Sequence, residues 1–276
     1  MAVLSVKGLC KKYKAFELKN VSFELRRGTI TGFIGRNGAG KTTTLKALLH
    51  FIHPDSGEIR FFGQDIAEHE LAVKQKLGFV SGGADYYPMK KLKAITDVTK
   101  RFYGEWDDGV YRRYMKLFGL DETKTPKQLS EGMKVKYSLT LALSHHAELL
   151  IFDEPTSGLD PVSRDELLDI FLELVEREGV TLLFSTHITA DLEKCADDIL
   201  YIKNGEISAE MPLDDFIAEY RVARFAGEVP NDGRLLGVKR ERRGCSALMR
   251  AEDLPAEGAE VSDATLEEIM VHLEKE

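Results

Sequence analysis

The chain has 276 residues, 43% hydrophobic and 30% charged, which suits one substantial folded domain with at most a small appendage and excludes a disordered polymer. With 38 basic and 46 acidic side chains the net charge is -8, a balance that argues against sequence-independent binding to bare nucleic acid. Cys10, Cys195 and Cys245 are widely spaced, fit no metal-ligand pattern and read as small packing residues in a reducing compartment.

The first residues carry their charges after a short alternating run, unlike a secretory signal, and no stretch approaches the roughly 20 apolar residues that cross a bilayer. A soluble chain that reaches a membrane only through a partner is expected. Residues 3–9, and then Val21, Phe23 and Leu25, alternate as half-buried strands that should pair antiparallel. Short, nearly continuous apolar runs follow at 30–34, 77–80, 149–152, 180–184 and 199–202, as in parallel strands covered on both faces. A helix is predicted over 43–50, and another places Leu167, Ile170, Phe171, Leu174 and Val175 on one face before ending at Gly179. From about 84 to 147 helical spacing dominates, which predicts a helical insertion on the sheet domain. After about 211 the texture changes, with Arg221, Arg224, Lys239, Arg240, Arg242 and Arg243 among small and acidic residues, and a last helix is expected over 264–276. Strand and helix alternate, so the fold class is α/β.

The run Gly35-Arg36-Asn37-Gly38-Ala39-Gly40-Lys41-Thr42-Thr43 lies between the strand at 30–34 and a helix, the context in which a P-loop pattern has meaning. Glycines let the backbone curl so that several N–H groups point at one anion, and the helix N-terminus adds partial positive charge there. Lys41 is expected to neutralise the outer phosphates, and Thr42 to offer its hydroxyl to Mg²⁺. A second constellation, Leu149-Leu150-Ile151-Phe152-Asp153-Glu154-Pro155, puts two carboxylates at the carboxyl edge of the sheet, where such sheets bind ligands. Asp153 suits Mg²⁺ through water, and Glu154 suits a general base on an attacking water.

Three further motifs surround these: Leu129-Ser130-Glu131-Gly132-Met133, Thr156-Ser157-Gly158-Leu159-Asp160 and Ser185-Thr186-His187. Their order resembles the ATP-binding cassette (ABC) family over about residues 2–211. The resemblance implies an α/β P-loop NTPase of the ABC nucleotide-binding type. Its parts would be a mixed sheet core with an antiparallel β subdomain and a helical subdomain at about 84–147, within a domain spanning 1–211. A small α+β accessory region at 212–276 would follow. It also implies that Tyr13 stacks on adenine, that Ser130 and Gly132 reach the γ-phosphate held by the other subunit, and that His187 contacts the γ-phosphate and orients water. The implied activity is ATP hydrolysis with ATP and Mg²⁺. The implied partners are a second ATPase subunit in an ATP-sandwich dimer and a separate transmembrane permease on the cytoplasmic face of the membrane, with no nucleic acid. The Leu-Ser-x-Gly-Met variant and the short tail look most like ATPase subunits of bacterial drug, antibiotic and peptide exporters.

Blander readings stand beside these. Tyr13 also reads as a surface tyrosine, Ser130 as an ordinary helix cap, and Lys134 and Lys136 as a solvated helix face. The aromatics Tyr86, Tyr87, Phe102, Tyr103, Trp106 and Tyr111 are either a groove for a permease helix or core. The C-terminal arginines would meet lipid headgroups, a partner's carboxylates or water. Two departures from the family pattern matter. Gly82 stands where the family usually has a glutamine near Mg²⁺, leaving water or Asp85 to take its place. Glu131 replaces a common glycine and is expected to point away from the nucleotide. A soluble cassette acting on ribosomes or DNA is the alternative function, but one cassette without sustained heptads does not favour it. A kinase or GTPase would leave three motifs unexplained.

Overall fold

In a computed structural model, residues 2–81, 87–227, 229–230, 232–242, 244–254 and 256–275 are described. The alternating start forms β1 (Ala2–Lys12) and β2 (Glu17–Arg26), antiparallel with Val6 opposite Phe23. The wholly buried β3 (Ile30–Ile34) leads through the glycine-rich loop into α1 (Lys41–Leu48). This helix starts two residues before the predicted 43–50, because Gly40 at φ 121° completes the turn and frees Lys41 to be helical. Next come β4 (Ser56–Phe61), β5 (Gln64–Asp65), α2 (Ile66–Gln75) and β6 (Leu77–Ser81). The helical layer holds α3 (Leu92–Thr99), α4 (Asp108–Leu117) and α5 (Glu131–Ser144).

The chain then returns to the sheet with β7 (Leu149–Asp153), α6 (Pro161–Glu178), β8 (Thr181–Ser185), α7 (Thr189–Cys195), β9 (Asp198–Lys203) and β10 (Glu206–Pro212). Gly179, left-handed at φ 66°, ends α6 as its position predicts. The last segment comprises α8 (Leu213–Ala218), β11 (Tyr220–Phe225), β12 (Leu236–Glu241), β13 (Gly244–Arg250), β14 (Glu260–Asp263) and α9 (Leu266–Leu273).

Among the described residues the strands form three sheets, ordered β2-β1-β4-β5, β10-β9-β3-β8-β7-β6 and β12-β13-β11-β14. The five apolar runs are the parallel strands of the central sheet, and β10 pairs antiparallel at its edge. Strand alternation divides the core between the two faces of that sheet. Ile30, Phe152, Leu182 and Phe184 pack on Leu167 and Phe171 of α6, whereas Phe33, Ile151 and Leu183 meet Leu4, Val6 and Leu25 of the first sheet. Phe152 and Phe171 have ring centroids 4.7 Å apart, and burying each such ring adds about 1.5–3 kcal/mol. Leu266 and Ile269 of α9 belong to the same cluster as α6, so the last helix is part of the central core. The order β3-β8-β7 brings the carboxyl ends of those three strands together, with Phe33 and Asp153 both in register with Ser185.

Candidate functional site

The glycine-rich loop leaves β3 and closes on itself through Ala39 N–H to the Arg36 carbonyl at 3.0 Å. A Cβ on Gly40 would stand 2.8 Å from Leu18 Cδ2 and 2.9 Å from Phe16 Cζ, so only glycine fits there. Gly40 is also the N-cap of α1 and offers no side chain to occupy the first N–H groups, which stay available to an anion. Lys41 follows at 6% exposure and donates from Nζ to the Gly35 carbonyl at 2.7 Å. Burial pushes its pKa down, opposed by the charges of Glu154, Asp153 and Glu274.

Asp153 ends β7 beside the end of β8. Ser185 Oγ donates to Asp153 Oδ1 at 2.7 Å, and Thr42 Oγ1 reaches the same oxygen at 3.4 Å. A hydroxyl and a carboxylate meeting beside a phosphate loop are the hard oxygen donors Mg²⁺ takes, and that ion needs only one or two protein ligands. Accordingly, no cluster of three metal-ligating side chains exists among the described residues. Glu154 adopts φ 54°, a left-handed conformation costly for a residue with a side chain, and its N–H donates to Ser185 Oγ at 3.2 Å. This turn brings Oε2 to 2.7 Å from His187 Nδ1 and Oε1 to 3.9 Å from Lys41 Nζ. A carboxylate only accepts, so Nδ1 carries the proton of that bond and Nε2 is left for another partner.

These groups line an open cleft of about 700 Å³ that Tyr13, Phe16 and Ile52 wall on the apolar side. Tyr13 is 45% exposed at its edge, and Lys11 Nζ lies 5.9 Å from its ring centroid. Of the predicted site residues, Tyr13, Asn37, Gly38, Gly40, Lys41, Thr42, Thr43, Glu154 and His187 line this cleft, with Asp153 bonded to Thr42. Gly35, Arg36 and Ala39 complete the loop behind it.

Ser130 and Gly132 stand apart and line none of it. Ser130 is exposed and N-caps α5, accepting from Met133 N–H at 3.3 Å. Glu131 bonds Lys134 on its own helix at 2.9 Å, and Lys136 bonds Glu166 at 2.9 Å, so both lysines serve helix-surface ion pairs. Gly82, Asp85 and Tyr86 lie outside the described residues, as does Arg243. The remaining aromatics divide. Tyr111 is buried with Trp106 packed beside it, Tyr103 stacks on His145 at 3.7 Å, and Tyr87 and Phe102 are exposed. Arg221 and Arg224 pair with Asp263 and Glu268.

Nothing in the sequence marks a role for Ser185, which orients both carboxylate residues, or for the last helix. A second cavity of about 480 Å³ shares Asn37 and His187 with the cleft, and Met270, Val271 and Glu274 form its far wall. The helix α9 is fixed there by Glu193 Oε1 accepting from Leu266 N–H at 2.7 Å and by Tyr201 donating to Glu274 at 2.9 Å. That placement depends on contacts about 70 residues apart, which no local pattern announces.

A family profile described as ABC transporter matches residues 18–157. The chain is 32% identical over 203 residues to the ABC transporter ATP-binding protein YtrB of Bacillus subtilis (strain 168), covering 74% of this chain and 69% of that protein. It is 30% identical over 215 residues to the bacitracin transport ATP-binding protein BcrA of Bacillus licheniformis, covering 77% and 70% respectively. The solved structure of an ATP-binding subunit of an ABC transporter superposes with a TM-score of 0.69 at 30% identity, over 77% of this chain and 91% of that one.

Proposed function

The chain belongs to the ABC transporter family as an ATP-binding and ATP-hydrolysing subunit, and from that membership we propose how it works. Two such subunits close around two ATP molecules and drive a separate membrane permease. The carrying observation is the division of the site: Lys41, Thr42, Glu154 and His187 line one cleft, with Asp153 bonded to Thr42, while the Ser130–Gly132 turn stands outside it. One chain therefore presents two half-sites, each needing a partner's complement.

In this reading the N–H groups of the glycine-rich loop and of α1 hold the phosphates, Lys41 neutralises them, and Tyr13 stacks on adenine. Thr42 and Asp153 would hold Mg²⁺, which would neutralise charge on the outer phosphates. Glu154 takes a proton from the attacking water, and the His187 hydrogen bond holds it in place to do so. Ser130 and Gly132 supply their N–H groups to the γ-phosphate on the second subunit.

Export of a drug, antibiotic or peptide is the finer reading, supported by the bacitracin transport relative and the Leu-Ser-x-Gly-Met signature. Exposed Tyr87 and Val98 beside a hollow of about 360 Å³ are the proposed seat for a permease helix. The chain would then sit at the cytoplasmic face of the membrane, its residues 84–147 acting as the helical subdomain and 212–276 as an accessory region. No helix among the described residues is long and apolar enough to cross a bilayer itself. Affinity purification from detergent-solubilised native membranes tests this. A multi-span membrane protein recovered in roughly equal amount is expected, whereas ribosomal proteins or nucleic acid without one would favour the soluble cassette.

A further inference from the structure

Behind the His187 loop lies a buried carboxyl group that the hydrolytic reading does not use. Asp191, in the first turn of α7, is 2% exposed, and its Oδ2 is buried with no hydrogen-bond partner among the described residues. Two more buried polar atoms are unpaired beside it. Arg164 Nε lies 3.9 Å from Asp191 Oδ1, and the wholly buried Thr156 hydroxyl faces the Asp191 carboxyl outside good hydrogen-bond geometry, near enough to favour its charged form. Each unsatisfied group costs about 1–3 kcal/mol, so their coincidence at one point calls for a reason beyond packing. Helix-dipole stabilisation is not that reason, because a carboxylate placed for the dipole can stay in water, as Asp214 and Asp215 do on α8.

The three residues come from the segments that carry the hydrolytic pair. Thr156 is two residues after Glu154, Asp191 is four after His187, and Arg164 lies in the first turn of α6, just past the loop between Thr156 and Asp160. We propose that Asp191 is a positioning residue for hydrolysis: with Arg164 and Thr156 it ties the His187 loop to the loop after Glu154, keeping His187 on the Glu154 carboxylate. A closing movement of about 1 Å would turn the 3.9 Å approach of Arg164 into a charge-assisted hydrogen bond. Burial pushes the Asp191 pKa up, opposed by Thr156, Arg164 and His187, which favour its charged form. The inference rests on the reading of Glu154 and His187 as the hydrolytic pair.

The test uses the full chain in ATPase assays and in single turnover with enzyme in excess. Asp191→Asn keeps the side-chain volume and is expected to lower kcat about 10-fold while the KM for ATP stays within about twofold. In a His187→Ala background the same substitution should change the residual rate by less than about twofold, because the group it acts through is gone. Thr156→Val, which keeps shape and removes the hydroxyl, should follow the same pattern and serves if Asp191→Asn does not fold. An unchanged kcat, or an equal fractional loss in both backgrounds, overturns the proposal. His187→Ala alone leaving kcat unchanged would overturn the hydrolytic reading beneath it, a result distinct from either.

Discussion

Lowering the pH should loosen the anchor of the signature helix, and His145 sets the size of the effect. This residue ends α5, is 4% exposed, stacks on Tyr103 at 3.7 Å and lies with Nδ1 3.1 Å from the Gln75 carbonyl. A carbonyl only accepts, so the neutral ring donates from Nδ1 and joins the end of α5 to the end of α2. Burial pulls its pKa from the ordinary 6.5 down to about 4. Its contribution to stability is thus fully present above about 6.5 and is lost as pH falls from there toward about 4, because the unfolded chain binds the proton first. Between pH 7 and 5 the unfolded imidazole takes up most of a proton and the folded one about a tenth, which integrates to roughly 2 kcal/mol. With an m value of about 3 kcal/mol/M, the urea midpoint should fall by about 0.7 M on this account. His145→Asn keeps a donor for Gln75 and removes the titration. The variant is weaker at both pH values but should lose about 2 kcal/mol less than the parent between them. Comparison with the variant also cancels His272, another buried imidazole whose pKa burial lowers. Equal losses in the two proteins would refute the reasoning.

Glu154→Gln should keep ATP binding and lose roughly 10²–10⁴ in hydrolysis, and light scattering should then show an ATP-dependent dimer. A normal rate would remove Glu154 as the base. Gly40→Ala places a Cβ against Leu18 and Phe16 at φ 121°, so a stability loss of about 1–3 kcal/mol and weaker binding in a fluorescent-ATP titration are expected. Glu131→Gly should leave ATPase activity within about twofold, because Glu131 already pairs with Lys134 and adds only about 0.3–1 kcal/mol at the helix N-terminus. A sharply raised rate would show that it faces the nucleotide instead.

The central sheet was legible because its strands are buried on both faces and read as unbroken apolar runs. Asp153, Glu154 and His187 then announced themselves as polar residues at the ends of such runs. Strands outside that parallel core gave no such signal. In β4 only Ile59 and Phe61 are buried, and β10 alternates between exposed and half-buried positions. Ser185 looked like any strand-end serine until β7 and β8 were placed in register. The aromatic stretch divided because Tyr111 and Met115 share one face of α4 and turn it inward, where Tyr111 accepts a hydrogen bond from Thr96 at 3.0 Å, while Phe102 lies before that helix and is exposed. Asp191 was invisible for the reason that makes it interesting: its neighbours come from two other segments.

Gly132 separates what its own chain requires from what a partner requires. It lies in the first turn of α5, and a Cβ there would stand 3.7 Å from Leu159 Cδ2 and 3.8 Å from Ser163 Cβ, ordinary contact distances. Nothing among the described residues excludes an alanine, and a helical glycine replaced by alanine stabilises a fold by about 0.4–1 kcal/mol. If glycine is needed at 132, the need lies on the outer side, where a second subunit's nucleotide would approach the N–H groups of the turn. Gly132→Ala should therefore melt at the same or a higher temperature, while in the Glu154→Gln background it should abolish the ATP-dependent dimer. A dimer that forms undiminished at the same ATP concentration would show that no nucleotide closes on this turn, and the two-half-site reading would fall with it.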